Sequence, residues 1–343
     1  MKRNSLFRMV KGKVGSVLLF YLFTFLPLSV QAQRVSFTIQ DGLYNQQLKS
    51  SMESSISSLL TEINAACSEN RALRLSGFSM ADKARKQLES LWNNYAHFSC
   101  DFESNVSKCL STVNGYEVRE IYVTLHPIDE SQFKGERSRE FAIGFAKDRT
   151  ITSARLAMEN NSYQAVLNKG GDVTDVRRRM EILSFVEDFR SYYDEKDINA
   201  LEQIYSDDAL IITGKVVMKK DMGDRQARLR PEIKYNKQTK TEYIQHLRRI
   251  FANNRYIKVK FDDISVMAHP AKNNFYGVTL RQNWKSSSYE DDGYVFLLWE
   301  FPDENDPRGS HPLVHVRTWQ PEKYGNQVTT ADEVFTSNDF FIP

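Results

Sequence analysis

The sequence predicts an α+β protein in which one order of elements, helices first and antiparallel strands after, is written twice. Apolar residues recur at three- and four-residue steps in segments of both halves, and each half then closes in strand-like runs divided by turn signals. The same apolar positions also repeat between the halves at a constant spacing.

The N-terminal segment comes first. Lys2, Arg3, Arg8, Lys11 and Lys13 precede the apolar run from Val17 to Leu28, and Val30-Gln31-Ala32 supplies the small residues a signal peptidase reads. This pattern predicts a secretory signal peptide over residues 1–32, cut after Ala32, and hence a periplasmic or envelope protein. The apolar run is ~14 residues, short of the ~20 that a spanning helix needs. No later stretch is long or apolar enough to span, so no transmembrane segment is expected after cleavage. Removing the segment leaves 41 basic against 44 acidic residues, which argues against a globally basic nucleic-acid binder.

In the first half a helix is expected from about Gln46 to Cys67, with Met52, Ile56, Leu59, Leu60 and Ile63 as its stripe. A second helix carries Leu88, Leu91 and Trp92, and strands follow around Phe98 to Cys109, Tyr116 to His126, Arg139 to Ala146 and Thr150 to Met158. Cys100 and Cys109 are read on one extended strand, roughly 30 Å apart at ~3.3 Å per residue, too far to bond. Cys67 with Cys100 stays open as a pair. Residues 159–173, with Asn160-Asn161 and Gly170-Gly171, read as a linker between a first domain at 37–158 and a second at 174–322.

The second half opens with a helix capped by Thr174, with Val176, Met180, Leu183, Val186 and Phe189 on one side. Asp197 caps a shorter helix carrying Ile198, Leu201 and Ile204; Ser206-Asp207-Asp208 is read as a turn and Ala209 to Ile212 as a buried strand. A helix with Tyr243, Leu247, Ile250 and Phe251 precedes four strands: Tyr256 to Met267, Asn274 to Trp284, Tyr294 to Phe301 and Leu313 to Trp319. Leu88, Leu91 and Trp92 match Leu247, Ile250 and Phe251 at an offset of 159, and Ala72-Leu73 matches Ala209-Leu210 at 137. The second copy therefore carries about 22 extra residues, an expected polar loop at 214–240. Residues 323–343 read as a tail.

The run Asp197-Ile198-Asn199-Ala200-Leu201-Glu202-Gln203-Ile204-Tyr205-Ser206-Asp207-Asp208-Ala209-Leu210, between a long amphipathic helix and a helix with four strands, resembles the nuclear transport factor 2-like superfamily. That superfamily includes polyketide-cyclase (SnoaL-like), ketosteroid-isomerase and scytalone-dehydratase-like proteins. Val316-Arg317-Thr318-Trp319-Gln320-Pro321 is similar to its closing strand. The resemblance covers residues 174–322, and about 40–160 only by analogy. It implies two tandem cone-shaped domains, each a curved sheet around helices with a cavity open at one end. With its signal peptide, the layout also resembles exported proteins of Bacteroidetes-type bacteria.

In the isomerase the base lies four residues beyond the second aspartate of a similar Asp-Asp-Ala segment. That position is Ile212 here, and Leu75 in the first copy, so the isomerase mechanism is not implied. Tyr192 or Tyr193 is the possible equivalent of that family's helix tyrosine. No catalytic residue, metal site or cofactor is predicted: His311 and His315 on one extended strand stand ~13 Å apart, and no phosphate loop or nucleophile elbow is present.

The candidate pocket-lining residues are Tyr193, Tyr205, His246, His315, Arg317 and Trp319. Strand alternation puts His315, Arg317 and Trp319 on one face, suited to a small hydrophobic or anionic ligand if that face meets the cavity. His246 and the strand face have a plain alternative as surface residues. Residues 215–260 hold fourteen Lys or Arg against four acids, and residues 287–343 hold eleven acids against three bases. Lys219, Lys220, Arg225, Arg228 and Arg230 form the candidate interaction patch, for an envelope protein or another copy of the chain. Aromatics are sparse there, which disfavours nucleic acid. The expected function is non-catalytic binding by an exported protein, with a small-molecule dehydratase, cyclase or isomerase as the rival.

Overall fold

A computed structural model describes residues 33–112, 115–128, 130, 136–158, 160–168, 176–221, 228–302 and 311–341. Residues 1–32, where a signal peptide is expected, and Gly170-Gly171, Thr174 and Arg225 lie outside the described residues.

The first half runs β1 (Ser36–Asp41), α1 (Gln46–Glu69), α2 (Asp82–Ser90), one π-helical turn (Leu91–Tyr95), β2 (Ala96–Ser99), β3 (Glu103–Ser111), β4 (Gly115–Pro127), β5 (Ser138–Ala146) and β6 (Ile151–Leu156). Its sheet has the order β1-β3-β4-β5-β6, with β2 also paired to β4. α1 starts where Asn45 accepts the Leu48 N–H and ends at Asn70, whose left-handed backbone returns its N–H to the last turn. The predicted stripe of Met52, Ile56, Leu59, Leu60 and Ile63 is fully buried against this sheet.

The second half runs α3 (Asn160–Asn168), α4 (Val176–Asp194), α5 (Ile198–Ile204), β7 (Tyr205–Asp221), β8 (Arg228–Gln238), α6 (Lys240–Asn253), β9 (Ile257–Ala268), β10 (Phe275–Ser286), β11 (Glu290–Glu300) and β12 (Leu313–Pro321). Its sheet has the order β8-β7-β12-β11-β10-β9; only the β7–β12 pairing is parallel. A capping box of Thr239 and Glu242 starts α6. Two short strands, β13 (Lys323–Tyr324) and β14 (Gln327–Val328), open the tail, and Phe335 and Phe340 pack it onto the outer sheet face over Phe296, Leu298 and Val316. In the first half a lone parallel bridge between Met80 and Ile151 of β6 stands in the place that the β7–β12 pairing holds in the second. That bridge lies at Met80, not at Ala72-Leu73.

Four sequence expectations change. The 214–240 insert is a β-hairpin, not a polar loop: β7 and β8 pair antiparallel from Ile211–Gln238 to Asp221–Arg228. Lysines between the apolar residues hide a strand alternation in which Val216, Met218, Leu229 and Ile233 share one face. The expected linker contains α3, whose Tyr163 and Val166 are buried in the second core. Cys100 and Cys109 do not share a strand, because Asn64 bonds both the N–H and the C=O of Cys100 and takes it out of the ladder. All three cysteines are free thiols, so Cys67 and Cys100 are not paired. Finally, Ser206-Asp207-Asp208 is no turn. It bulges within β7, where Tyr205 pairs with Val314 and Leu210 with Val316, leaving residues 206–209 opposite one β12 residue.

α4 positions everything else. Every residue from Val186 to Asp194 is buried, because the two sheets cover opposite sides of the helix. Val186 and Phe189 enter the second core, while Glu187 and Asp188 face the first sheet. Glu187 accepts from Arg119 Nη2 at 2.8 Å, from Arg155 Nε at 3.0 Å and from the Met158 N–H at 2.8 Å. Glu117 accepts from Arg119 at 2.9 Å and from Arg155 at 2.7 Å. Asp188 takes Lys83 Nζ at 2.6 Å and Gln87 Nε2 at 2.8 Å. A bulge in β4 aims Arg119 into this network: Val118 pairs with Ile143 and Ile121 with Phe141, and Glu120 between them is left-handed at φ 63°. Burial alone would raise the Glu187 pKa, but Arg119 and Arg155 outweigh it and hold the carboxyl well below its usual range.

Each buried ion costs several kcal/mol to desolvate, so removing one partner leaves the others uncompensated. Glu187→Gln keeps the shape and an acceptor for Met158 while leaving Arg119 and Arg155 short of charge. Denaturant unfolding of this variant should show a loss of about 3–5 kcal/mol; a loss under about 1 kcal/mol would contradict the network's role.

Candidate functional site

Four elements converge inside the curved sheet of the second half. α4 supplies Tyr193, the start of β7 Tyr205, α6 Tyr243 and β12 Arg317, and all four are buried. Tyr193 Oη is the hub, 2.8 Å from Tyr243 Oη and 3.4 Å from Tyr205 Oη. The Arg317 guanidinium lies 5.1 Å from the Tyr243 ring centroid and faces all three phenols. It forms no ion pair among the described residues, and its Nε lacks a hydrogen-bond partner. Burial pushes the Tyr205 and Tyr243 phenols well above their usual range, so they stay neutral donors. The phenols lift the arginine pKa against its burial, so it stays charged. The site therefore offers O–H and N–H donors and a positive charge, which suits an anion or a developing oxyanion.

No carboxylate or histidine among the described residues hydrogen-bonds this cluster. Ile211 points into the core while Ile212 is an apolar side chain paired to Thr318, so the isomerase base position holds no proton acceptor. Asp208 is 85% exposed and bonded to Ser206 Oγ, a bond that holds its carboxyl below the usual range. Asp207 is exposed and pairs with Lys240 at 2.8 Å.

The expected shared face of His315, Arg317 and Trp319 is broken. Trp299 pairs with Val314 but Leu298 with Val316, so His315 is an extra residue in β12. Val314 and Trp319 stay on the core side, and His315 turns outward to Glu300 Oε2 at 2.8 Å and to the Phe275 ring. His246 is exposed on α6 and does not line the cone. His311 is exposed, beside a 640 Å³ cleft lined by Gln87, Phe185, Tyr192 and Pro312 among others. Trp319 is half-buried over Gly293, where an added Cβ would meet its Nε1 at 2.8 Å. It borders a 450 Å³ cavity with Tyr289, Asp291 and Lys215. Tyr193, Tyr205 and Arg317 thus come together, Trp319 stands at an edge, and the two histidines fall outside. No group of three His, Cys, Asp or Glu among the described residues is placed to hold a metal ion.

Of the basic patch, Lys219, Lys220 and Arg230 are exposed on the hairpin, Arg228 opens β8, and Lys219 is 2.9 Å from Glu232. Val216, Met218 and Leu229 are 38%, 58% and 61% exposed on the face that Lys220 shares, opposite Lys219 and Arg230. The acidic tail is held on its own chain: Tyr235 packs edge-to-face against Phe335, and Gln320 bonds Tyr235 Oη and the Phe335 N–H.

Residues 231–306 match the family model of the Cds6 C-terminal NTF2-like domain. The match runs from β8 through β11 and supports the NTF2-like superfamily for this part of the chain. Among solved structures, Bd1075 of Bdellovibrio bacteriovorus is similar at 15% identity over 52% of this chain and 49% of its own, with a TM-score of 0.31. The chain thus spans about half the length of that protein. An NTF2-like protein of Cytophaga hutchinsonii is similar at 14% identity over 42% of this chain and 98% of its own, TM-score 0.31. One of Shewanella oneidensis gives 13%, 41%, 98% and 0.29 for the same quantities. No curated protein matches the chain.

The sequence reading missed the charged seam along α4. Glu187, Asp188 and Arg190 sit off the apolar stripe and look like a solvated helix face. The available signal was Glu117, Arg119 and Arg155 inside otherwise apolar strands, since buried strands that carry charge need partners.

Asp194, at the end of α4, is buried and accepts the Val259 N–H at 2.6 Å. Burial is the largest influence on its carboxyl and pushes it up to about 6 against the pull of Arg190. A raised acid binds more protons folded than unfolded, so stability should fall as pH rises from about 4 to 6. Asp194→Asn should abolish that slope and be more stable than the wild type at pH 7 by about 1–3 kcal/mol. Equal slopes in both proteins, from unfolding curves across this window, would contradict the assignment.

Proposed function

We propose that the protein is an exported, non-catalytic interaction protein made of two tandem cone-like domains, in which the NTF2-like second half presents the β7–β8 hairpin to an acidic protein partner of the envelope. The hairpin carries the reading. β8 is the edge strand of its sheet, with Lys219 and Arg230 on one face and exposed Val216, Met218 and Leu229, beside Lys220, on the other. An unpaired edge with apolar area beside it is a docking element, and flanking cations set orientation and encounter rate. The tail is occupied on its own sheet, so an acidic surface of another protein is favoured over the tail of a second copy.

The second reading, a dehydratase- or isomerase-type enzyme, draws support from the Tyr193 hub beside Arg317. It lacks a base: Asp208, His246 and His315 lie outside the cone, and donors without a base do not move a proton from carbon.

Lys219→Ser, Lys220→Ser and Arg230→Ser combined should leave the thermal unfolding midpoint unchanged, because all three side chains are exposed. Capture of envelope proteins should be strong for the wild type in low salt, fall as salt rises past about 0.2 M, and be lost in the triple variant. Capture that ignores both salt and the substitutions would contradict the proposal.

A further inference from the structure

A groove of 530 Å³ opens between β5 of the first half and β9 of the second, floored by α4. It is lined by Arg139, Arg190, Lys258 and Lys260, and by Glu136, Glu140, Glu187 and Asp262. Most of the acids are already engaged. Glu187 belongs to Arg119 and Arg155, Glu140 lies 3.2 Å from Arg119 Nε and accepts the Glu120 N–H, and Asp262 is 3.4 Å from Lys260. Glu136 is exposed at the rim.

The two arginines are not engaged in this way. Arg190 is 6% exposed and donates Nη2 to the Leu156 C=O at 2.7 Å and Nη1, more weakly, to Ala157 at 3.4 Å; its Nε has no partner. Half-buried Arg139 also forms no ion pair among the described residues. Asp194 lies close enough to act on both electrostatically, without an ion pair to either. A buried guanidinium with an idle Nε–H is expensive unless an acceptor completes it, and the fork of Nε–H and Nη–H matches the two oxygens of one oxyanion.

We propose that this groove binds a small ligand bearing a carboxylate or phosphate group, with Arg190 as the buried fork, Arg139 as the second cation and Lys258 at the β9 wall. The volume suits a small molecule. Tyr122 and Phe261 add aromatic wall for its remaining atoms. The site is made jointly by the two halves: β5 carries Arg139, α4 carries Arg190 and β9 carries Lys258. It shares no residue with the tyrosine cluster or the hairpin.

Isothermal titration calorimetry of the full-length mature chain, with inorganic phosphate and separately succinate at matched ionic strength, tests it. Wild type should bind at least one probe in the millimolar range or tighter. Phosphate alone would assign phosphate esters, and succinate alone would assign carboxylates. Arg139→Ser, at a half-buried position, and Arg190→Met, which keeps the stem, should each weaken binding by about tenfold or more, while Lys234→Ser on the hairpin should not. If Arg190→Met does not fold, Arg139→Ser decides. Failure of wild type to bind either anion at tens of millimolar, or wild-type affinity in Arg139→Ser, would overturn the proposal.

Discussion

The carboxylate of Glu187 is the point on which the two halves depend. α4 is covered by a sheet on each side, and such a helix would ordinarily be apolar all round. Here one side is apolar, with Val186 and Phe189 in the second core, and the other is ionic. Glu187 meets Arg119 from β4 and Arg155 from β6, and Glu117 closes the ring. Neither sheet could release α4 without exposing a half-satisfied charge network to an apolar or misfitted surface. Tyr163 of α3 extends the seam, with the Arg119 guanidinium 3.8 Å from its ring centroid.

That arrangement also places the features that bear on function. The far end of α4 carries Tyr193 into the second core, where it links Tyr205 and Tyr243 beneath Arg317. One turn earlier, Arg190 leaves the same helix about 60° around its axis and enters the groove against the first half. The two sites are thus served from successive turns of one helix, and each holds a buried arginine with an unpaired Nε. In the cone the compensation comes from phenols; in the groove it comes from two backbone carbonyls. The tyrosine cluster is electrophilic, whereas the exposed chemistry of the second half is concentrated in the hairpin.

Much of the fold was legible in the sequence because burial follows periodicity. α1, α4 and α6 and the four closing strands of the second half appear where the apolar spacing placed them. The misreadings have two physical sources. Strand alternation assumes a regular ladder, and bulges at residues 206–209 and at His315 break it, sending His315 outward while Arg317 stays inside. Composition was also read as exposure: lysines disguised the hairpin and asparagines disguised α3, while Glu187, Asp188 and Arg190, off the apolar stripe, carried no reading. Of the candidate site, Tyr193, Tyr205 and Arg317 were readable, because the family resemblance supplied the helix and the closing strand. Tyr243 was read only as core, and Arg190 and Arg139 were not read at all, since their partners come from another part of the chain.

The central claim is that α4 and its charge network join the two halves into one cooperative unit. Differential scanning calorimetry of residues 33–343 tests it most directly. A single transition is expected, its calorimetric and van't Hoff enthalpies agreeing for the whole of residues 33–343. Two resolved transitions, each carrying the enthalpy of one half, would contradict it.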